Sequence, residues 1–211
     1  MDTYTSPQDG TTLDTFSTPY APTTNYSTNA SLFVGYDSAS SRLFRTWIDF
    51  PVFGGGSIPP GAVVISAKLY LKIASDDSGV ARTVRVFRCK RDMVISQATW
   101  NAYSTGNSWE TAGGFGANDC EQTDIGNLAF TASEAVGSWK EFVLTASAIQ
   151  DMLNGTWATS ALLIKTDGES NDRYGYYSTE YATPEDRPYI AIEYFYGGVT
   201  GVFLSDGFGF M

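Results

Sequence analysis

The sequence contains no histidine, so lysine and arginine are the only cationic side chains that it offers to a ligand. Without histidine there can be no Ser-His-Asp triad, no imidazole general base and no imidazole metal ligand. Basic residues recur between positions 42 and 91, at Arg42, Arg45, Lys68, Lys72, Arg82, Arg85, Arg88, Lys90 and Arg91. From this set we select a candidate glycan-binding site made of Lys68, Lys72, Arg85 and Arg88.

Strand alternation is the main reason for this choice. Within residues 63–74, Lys68 and Lys72 fall on the face opposite the apolar one. In the next predicted strand Val84 and Val86 face the core, so Arg85 between them points outward. A basic sheet face could bind uronate carboxylates, since arginine offers a carboxylate two parallel hydrogen bonds. The alternative is a solvated sheet face on which these cations pair with Asp and Glu across strands.

Oxygen ligands are concentrated in two acidic segments, residues 118–124 and 167–172. Alternating carboxylate and amide oxygens can hold Ca²⁺, although neither segment has the spacing of an EF-hand. The alternative is a turn that uses Asp, Asn and Gly for its backbone geometry. No other cofactor is predicted, and the candidate calcium ligands are Asp167, Glu169, Asn171 and Asp172.

Aromatic side chains are the third group with possible binding chemistry. Trp100, Trp109, Trp157 and the tyrosines within residues 174–181 could stack on sugar rings, or they could anchor the core and the loops. No pair of carboxylates is marked by its spacing as the acid and base of a glycoside hydrolase. We therefore expect a protein that is not an enzyme.

The only two cysteines are Cys89 and Cys120. They can form at most one disulfide, so the chain is not a disulfide-dense scaffold. The sequence leaves open whether the two residues are bridged or remain thiols.

The charge balance disfavours two classes of partner. The formal net charge is -10, whereas nucleic acids and anionic membranes attract basic surfaces. No apolar run approaches the roughly 20 residues of a membrane-spanning helix. The N-terminus lacks the basic and apolar regions of a signal peptide, so we expect a translation product that is made without secretion.

The elements that must position these residues are predicted to be strands. One face of a predicted strand carries Val63, Ile65, Ala67, Leu69, Leu71 and Ile73, and the other carries Val64, Ser66, Lys68, Tyr70, Lys72 and Ala74. This alternation is typical of a strand with one face on a core and one on solvent. Short strands punctuated by turns recur through residues 14–196, and residues 92–127 form a long loop-like region. One helix is predicted at residues 145–153, which Thr145 can cap and the pair Asn154–Gly155 ends. The pattern predicts an all-β, antiparallel, jelly-roll-like β-sandwich with one short helix.

The two ends of the chain differ from this central domain. Residues 1–13 are polar and predict an N-terminal arm, whereas residues 197–211 form a Gly-rich apolar tail. The tail could pack on its own sandwich, or it could insert into a neighbouring subunit, which is the prediction that we adopt. The predicted assembly contacts are Val202, Phe203, Leu204, Phe208, Phe210 and Met211.

Several segments together resemble the DNRLRE domain family, also called the disaggregatase-related repeat, which overlaps with an alginate-binding class of carbohydrate-binding module. The most specific are Ile58–Leu71 (IPPGAVVISAKLYL), Ala98–Asn101 (ATWN), and Tyr177–Tyr181 followed by Arg187–Tyr194. The resemblance covers about residues 14–196. It implies a jelly-roll-like β-sandwich, usually a non-catalytic module of secreted or surface proteins, and the family also has members among phage structural proteins.

The absence of a signal peptide and of an attached catalytic domain, together with the apolar tail, shifts the expected function within this family. We expect a non-catalytic subunit of a virion surface, such as a phage capsid decoration or tail-surface protein. Its partners would be other protein subunits, either copies of itself or a capsid or tail protein. The alternative is an extracellular carbohydrate-binding module that recognises acidic or cell-surface polysaccharide. Neither nucleic acid nor a membrane is an expected partner.

Overall fold

The structure, a computed structural model, describes residues 1–6, 12–50, 58–156 and 159–197. Over these residues the fold is all-β, antiparallel and sandwich-like, as predicted, with an α-helix α1 at Ala146–Leu153 and a 3-10 turn at Pro184–Asp186. The strands are β1 (Asp2–Thr5), β2 (Leu13–Ser17), β3 (Ser31–Asp37), β4 (Arg42–Asp49), β5 (Val63–Ser78), β6 (Arg82–Arg88), β7 (Ala102–Ser104), β8 (Asn107–Ser108), β9 (Gly126–Phe130), β10 (Trp139–Leu144), β11 (Ala161–Thr166), β12 (Asp172–Tyr177) and β13 (Tyr189–Phe195).

The main sheet curls on itself, in the order β1-β13-β5-β12-β3-β4-β11-β6-β9, with β10 beside β5 and β2 beside β4. We call β1, β13, β10 and the first part of β5 the first layer, and β2, β4, β11, β6 and β9 the second layer. One buried cluster joins them, because Leu69 and Phe142 of the first layer belong to the same core as Val86 and Ile164 of the second. Burial of this shared core holds the two layers together.

The long strand β5 connects the layers. Its first part pairs with β13 and β10, and its last residues pair with β12, which leads through β3 to the second layer. Ala67, Leu69, Leu71 and Ile73 are fully buried, which confirms the predicted alternation over this part of the strand.

For the first residues of β5, the prediction of which side chains face the core was wrong. Val63 and Ile65 are 54% and 46% exposed, and Val64 between them is buried. The reason is a shift in register against β13, where Glu193 lies opposite Ser66 but Tyr194 lies opposite Val64, so that Ile65 is an extra residue. Such a β-bulge reverses which side chains face the core.

Helix α1 lies close to its predicted position and buries Ile149 and Met152. The carbonyl of Thr145 accepts the N–H of Ile149 at 3.2 Å, but the Thr145 side chain makes no capping hydrogen bond, in contrast to the prediction. Gln150 joins the helix to β5, since its Oε1 accepts the Val64 N–H at 2.7 Å and its Nε2 donates to the Ala62 carbonyl at 3.1 Å. The side-chain amide therefore occupies the edge of β5 beyond the end of β10.

Residues 90–124, which we call the covering segment, contain β7 and β8 and pack on the outer side of the second layer. The segment places Met93, Ile95 and Trp109 against Trp47 and Leu163 in a second apolar cluster. This explains the long region that the sequence predicted only as a loop: its apolar residues bury the outer face of a sheet.

Asp119 organises the covering segment from within. It is fully buried, and its carboxylate accepts the N–H groups of Glu110 and Thr111, both at 2.9 Å, and that of Gly116 at 3.2 Å. Arg91 Nε donates to the same carboxylate at 3.1 Å. Burying a carboxylate is costly unless it is hydrogen-bonded, and these bonds supply the Asp119 carboxylate with its partners.

The predicted end regions are described in part. Residues 2–5 of the predicted arm form β1, which pairs with β13 at the edge of the first layer. Of the predicted tail, only Gly197 belongs to the described residues, so the six predicted assembly contacts lie outside them.

Candidate functional site

The outer surface of the first layer carries two of the four predicted glycan-binding cations. Lys68 Nζ lies 2.8 Å from Glu141 Oε1, and Lys72 pairs with Asp186. The hydrogen bond with Glu141 raises the pKa of Lys68, and that with Lys68 lowers the pKa of Glu141. Each lysine therefore already contacts a carboxylate of its own chain.

The other two cations lie elsewhere. Arg85 pairs with Asp124 and lies on the outer side of the second layer, because the adjacent Val84 and Val86 face the core. Arg88 is only 3% exposed and lies 3.6 Å from Asp151 of α1, and its burial lowers the pKa of the guanidinium. The structure thus does not bring the four predicted side chains onto one basic face.

The predicted calcium ligands contact protein groups. Glu169 accepts two hydrogen bonds from Arg45, from Nε at 2.8 Å and from Nη2 at 3.0 Å. Asp172 accepts the Tyr36 N–H at 2.7 Å and the Arg82 Nε at 3.3 Å. These carboxylates are held by neighbouring donors of the same chain.

The backbone of the same segment has turn geometry. Glu169 and Asn171 have φ values of 46° and 50°, in the left-handed region that Asn tolerates better than most residues. Asp167 accepts the Thr83 N–H at 3.3 Å. Over the described ranges, no group of three or more Cys, Asp or Glu side chains is placed to hold a metal ion.

The tryptophans that the sequence singled out as candidates for sugar stacking serve as anchors. Trp109 is buried and stacks on Trp47, with ring centroids 5.6 Å apart and planes at 11°. Trp100 is also buried, and its ring lies 5.2 Å from the Arg45 guanidinium. Trp157 lies outside the described residues.

A different aromatic group was missed at the sequence level. Tyr70 and Tyr189 lie directly opposite each other on the outer side of the first layer and stack at 4.5 Å, with planes at 10°. Trp139 contacts Tyr189 edge-on at 5.3 Å, and Lys72 Nζ lies 5.7 Å from the Trp139 ring. Tyr70 lies between the outward residues Lys68 and Lys72 in the alternation, which indicates that its ring also points outward. Its contact with Tyr189 could not be predicted, because that contact depends on strand register.

Apolar side chains are also exposed on this side of the first layer. Phe195 lies directly opposite Val63, and Val143 lies directly opposite Lys68. We call this surface the open face; its most exposed apolar residues are Val63 (54%), Ile65 (46%), Val143 (62%) and Phe195 (55%). It includes the bulge in β5, the end of β13 and the outward side of β10.

The described residues also line a shallow depression. A depression of about 220 Å³, lined by Arg82, Thr83, Phe130 and Asp167 among others, opens broadly to solvent at the margin of the second layer. Pockets that bury small ligands are typically larger, roughly 300–1,000 Å³. The extended open face is therefore the stronger candidate for a functional surface.

The comparisons with known proteins leave the family open. The sequence matches no protein-family model and no curated protein. The resemblance to the DNRLRE domain family therefore stays a prediction. Within the described part of the chain, no helix has the length and apolar character needed to cross a membrane.

Proposed function

We propose that the protein is a non-catalytic structural subunit of a larger assembly and, within that class, a virion surface protein such as a phage capsid decoration or tail-surface subunit. The observation that carries the proposal is the open face. This face groups Val63, Ile65 and Phe195 at one end of β5, and large exposed apolar patches mark places where proteins associate. A subunit of an assembly needs such a surface, whereas an isolated domain gains nothing from leaving it in water.

The position of the C-terminal stretch supports the same proposal. The described chain ends just after Phe195, which belongs to the open face. Beyond that point the sequence GVTGVFLSDGFGFM is apolar and carries no cation. We propose that this stretch of one copy covers the open face of a neighbouring copy, which would join subunits head to tail.

The proposal is tested by sedimentation velocity of the full chain over a wide range of concentration. We expect reversible self-association, which is lost on deletion of residues 198–211 and weakened by the pair Val63→Ser and Ile65→Ser. Val136→Ser is the matched control, because Val136 is 62% exposed but lies in the turn before β10. Circular dichroism of each variant should show an intact sandwich. A full chain that stays monomeric at every concentration would contradict self-assembly.

A second candidate function, carbohydrate binding, rests on Trp139. This side chain is 37% exposed on the open face and lies beside Lys72, an arrangement that could serve stacking and charge recognition of an acidic sugar. The stacking of Tyr70 on Tyr189 counts against it, since each ring covers one face of the other. Affinity electrophoresis in gels containing alginate tests this function.

If the alternative is correct, alginate should retard the wild-type chain, and Trp139→Ala should abolish the retardation. Tyr20→Ala is the control, because Tyr20 is 68% exposed in the loop after β2. Unretarded wild-type chain would remove the support for this second function.

A further inference from the structure

Cys89 and Cys120 form an isolated antiparallel bridge between the end of β6 and the covering segment. Both are free thiols and both are buried, and their sulfur atoms lie 3.6 Å apart. They are separated by 31 positions in the sequence, so any bond between them would span nearly the whole covering segment.

The hydrogen bonds on either side define the geometry of this pair. The Lys90 N–H donates to the Asp119 carbonyl at 2.8 Å, and the Glu121 N–H donates to the Arg88 carbonyl at 2.9 Å. These bonds lie on either side of the cysteines, whose own backbone groups do not hydrogen-bond to each other. In the terms of an antiparallel ladder, Cys89 and Cys120 therefore form a pair without backbone hydrogen bonds. In such pairs the Cα atoms lie about 4.5 Å apart, within the range of roughly 4.4–6.8 Å that disulfides require.

We propose that Cys89 and Cys120 are a disulfide-forming site that fastens the covering segment to the second layer under oxidising conditions. Each thiol gives up its proton, the sulfur pair gives up two electrons, and one S–S bond forms. A low-molecular-weight disulfide takes up the electrons and protons and leaves as two thiols. The proposal is independent of the proposed function.

The surroundings of the thiols determine when the bond forms. The hydrogen bond with Cys120 and burial raise the pKa of Cys89 well above its usual value, and the carboxylates of Asp49 and Asp119 act in the same direction. Since the thiolate is the reactive species, the closed protein should react slowly. The bond is expected to form during folding or when the covering segment opens locally.

The experiment refolds the reduced full chain in mixtures of reduced and oxidised glutathione, followed by alkylation and peptide mass spectrometry. We expect an intramolecular link between the peptides that contain Cys89 and Cys120, which reductant removes. The bridged form should melt on the order of 10 °C above the thiol form, because the bond restricts the unfolded chain. Cys89→Ser and Cys120→Ala should show neither the link nor the shift.

The wild-type comparison does not depend on the folding of either variant. The proposal is overturned if the chain refolded at a strongly oxidising ratio keeps both thiols open to alkylation. It is also overturned if only intermolecular links form, or if the bridged form melts at or below the temperature of the thiol form.

Discussion

The two outer faces of the sandwich differ in how they meet solvent. On the second layer, Trp47, Phe87 and Leu163 point outward, yet the covering segment buries them with Met93, Trp109 and other apolar residues. On the first layer, the open face exposes Val63, Ile65, Val143 and Phe195. A long segment thus covers one apolar face, whereas the other face is uncovered over the described residues. This asymmetry is why we propose that the open face is the surface through which the protein associates.

The polar groups of the two faces follow the same division. Under the covering segment, Arg45 is held by Glu169 and by the Gly113 carbonyl at 2.9 Å. On the open face, Lys68 and Glu141 form a pair whose side chains are 39% and 43% exposed. The covered groups contribute to the fold of one chain, whereas the exposed ones are screened by water and contribute little.

The strongest test of this division compares two tryptophans. Trp109→Ala should lower the free energy of unfolding by about 3–5 kcal/mol, because it removes a buried ring that stacks on Trp47. It also removes the Trp109 Nε1–H donor to the Thr99 carbonyl, a bond of 2.9 Å. Trp139→Ala on the open face should cost less than about 1 kcal/mol. Urea denaturation measures both, and equal losses would break the distinction between the faces.

Ion pairs give a second comparison of the same kind. Arg45→Met should cost about 2–3 kcal/mol, since it leaves the Glu169 carboxylate, 19% exposed, without its main partner. Lys68→Met should leave the unfolding free energy without a resolvable change, because its pair is solvated. Thermal melts at low and high salt check both substitutions. A larger loss from the open-face lysine would contradict the assignment.

A buried carboxyl in the second layer makes stability depend on pH. Burial raises the pKa of Asp14 well above its usual value, although its Oδ2 accepts the Thr179 N–H at 2.8 Å. At pH values between the pKa of Asp14 in the unfolded chain and its higher pKa in the folded protein, the native state binds more protons than the unfolded state. The contribution of Asp14 to the free energy of unfolding therefore falls as the pH rises through this range. Asp14→Asn keeps an acceptor for Thr179 and should raise the melting temperature at neutral pH and flatten this dependence.

Asp37 serves as the control of opposite sign. Its hydrogen bond from Ser40 lowers its pKa, so its contribution is present above the unfolded pKa and is lost as the pH falls through the folded value. Asp37→Asn should therefore lower the melting temperature at neutral pH and have a smaller effect in acid. Melting curves between acid and neutral pH measure both variants. Shifts of the same sign at neutral pH would contradict the assigned causes.

The smallest effect on stability is expected on the open face itself. Ile65→Ser should change the unfolding free energy by less than about 0.5 kcal/mol, because the side chain is already 46% exposed. The same substitution should weaken self-association, so that stability and association respond separately. Differential scanning calorimetry of dilute protein and sedimentation of concentrated protein distinguish the two responses. A large loss of stability would show that Ile65 belongs to the core.

What the sequence could predict follows from the range of each interaction. The alternation of Leu69 and Leu71 and the apolar spacing in α1 are local, and both elements were predicted near their observed positions. The bulge at Ile65 was not predictable, because it is defined by the register of β13, more than a hundred residues later. The same holds for the stacking of Tyr70 on Tyr189.

The candidate site was less predictable than the fold for a related reason. Alternation indicates that Lys68 and Arg85 point outward from their strands, but not that their strands belong to different layers. The paired carboxylates Glu141 and Asp124 are likewise distant in sequence from their cations. A cluster of cations in the sequence therefore became separate ion pairs in the fold.

The central claim is that the open face is covered by the C-terminal stretch of another copy. Its most direct test places a photo-cross-linking benzoylphenylalanine at position 65 and irradiates a mixture of ¹⁴N- and ¹⁵N-labelled chains. Mass spectrometry then identifies the peptide that is captured and whether it comes from the other isotope. A probe at position 94 on the covering segment, where Val94 is 39% exposed, is the control. We predict mixed-isotope cross-links from position 65 to residues 198–211; cross-links within one chain, or equal capture by both probes, would contradict the claim.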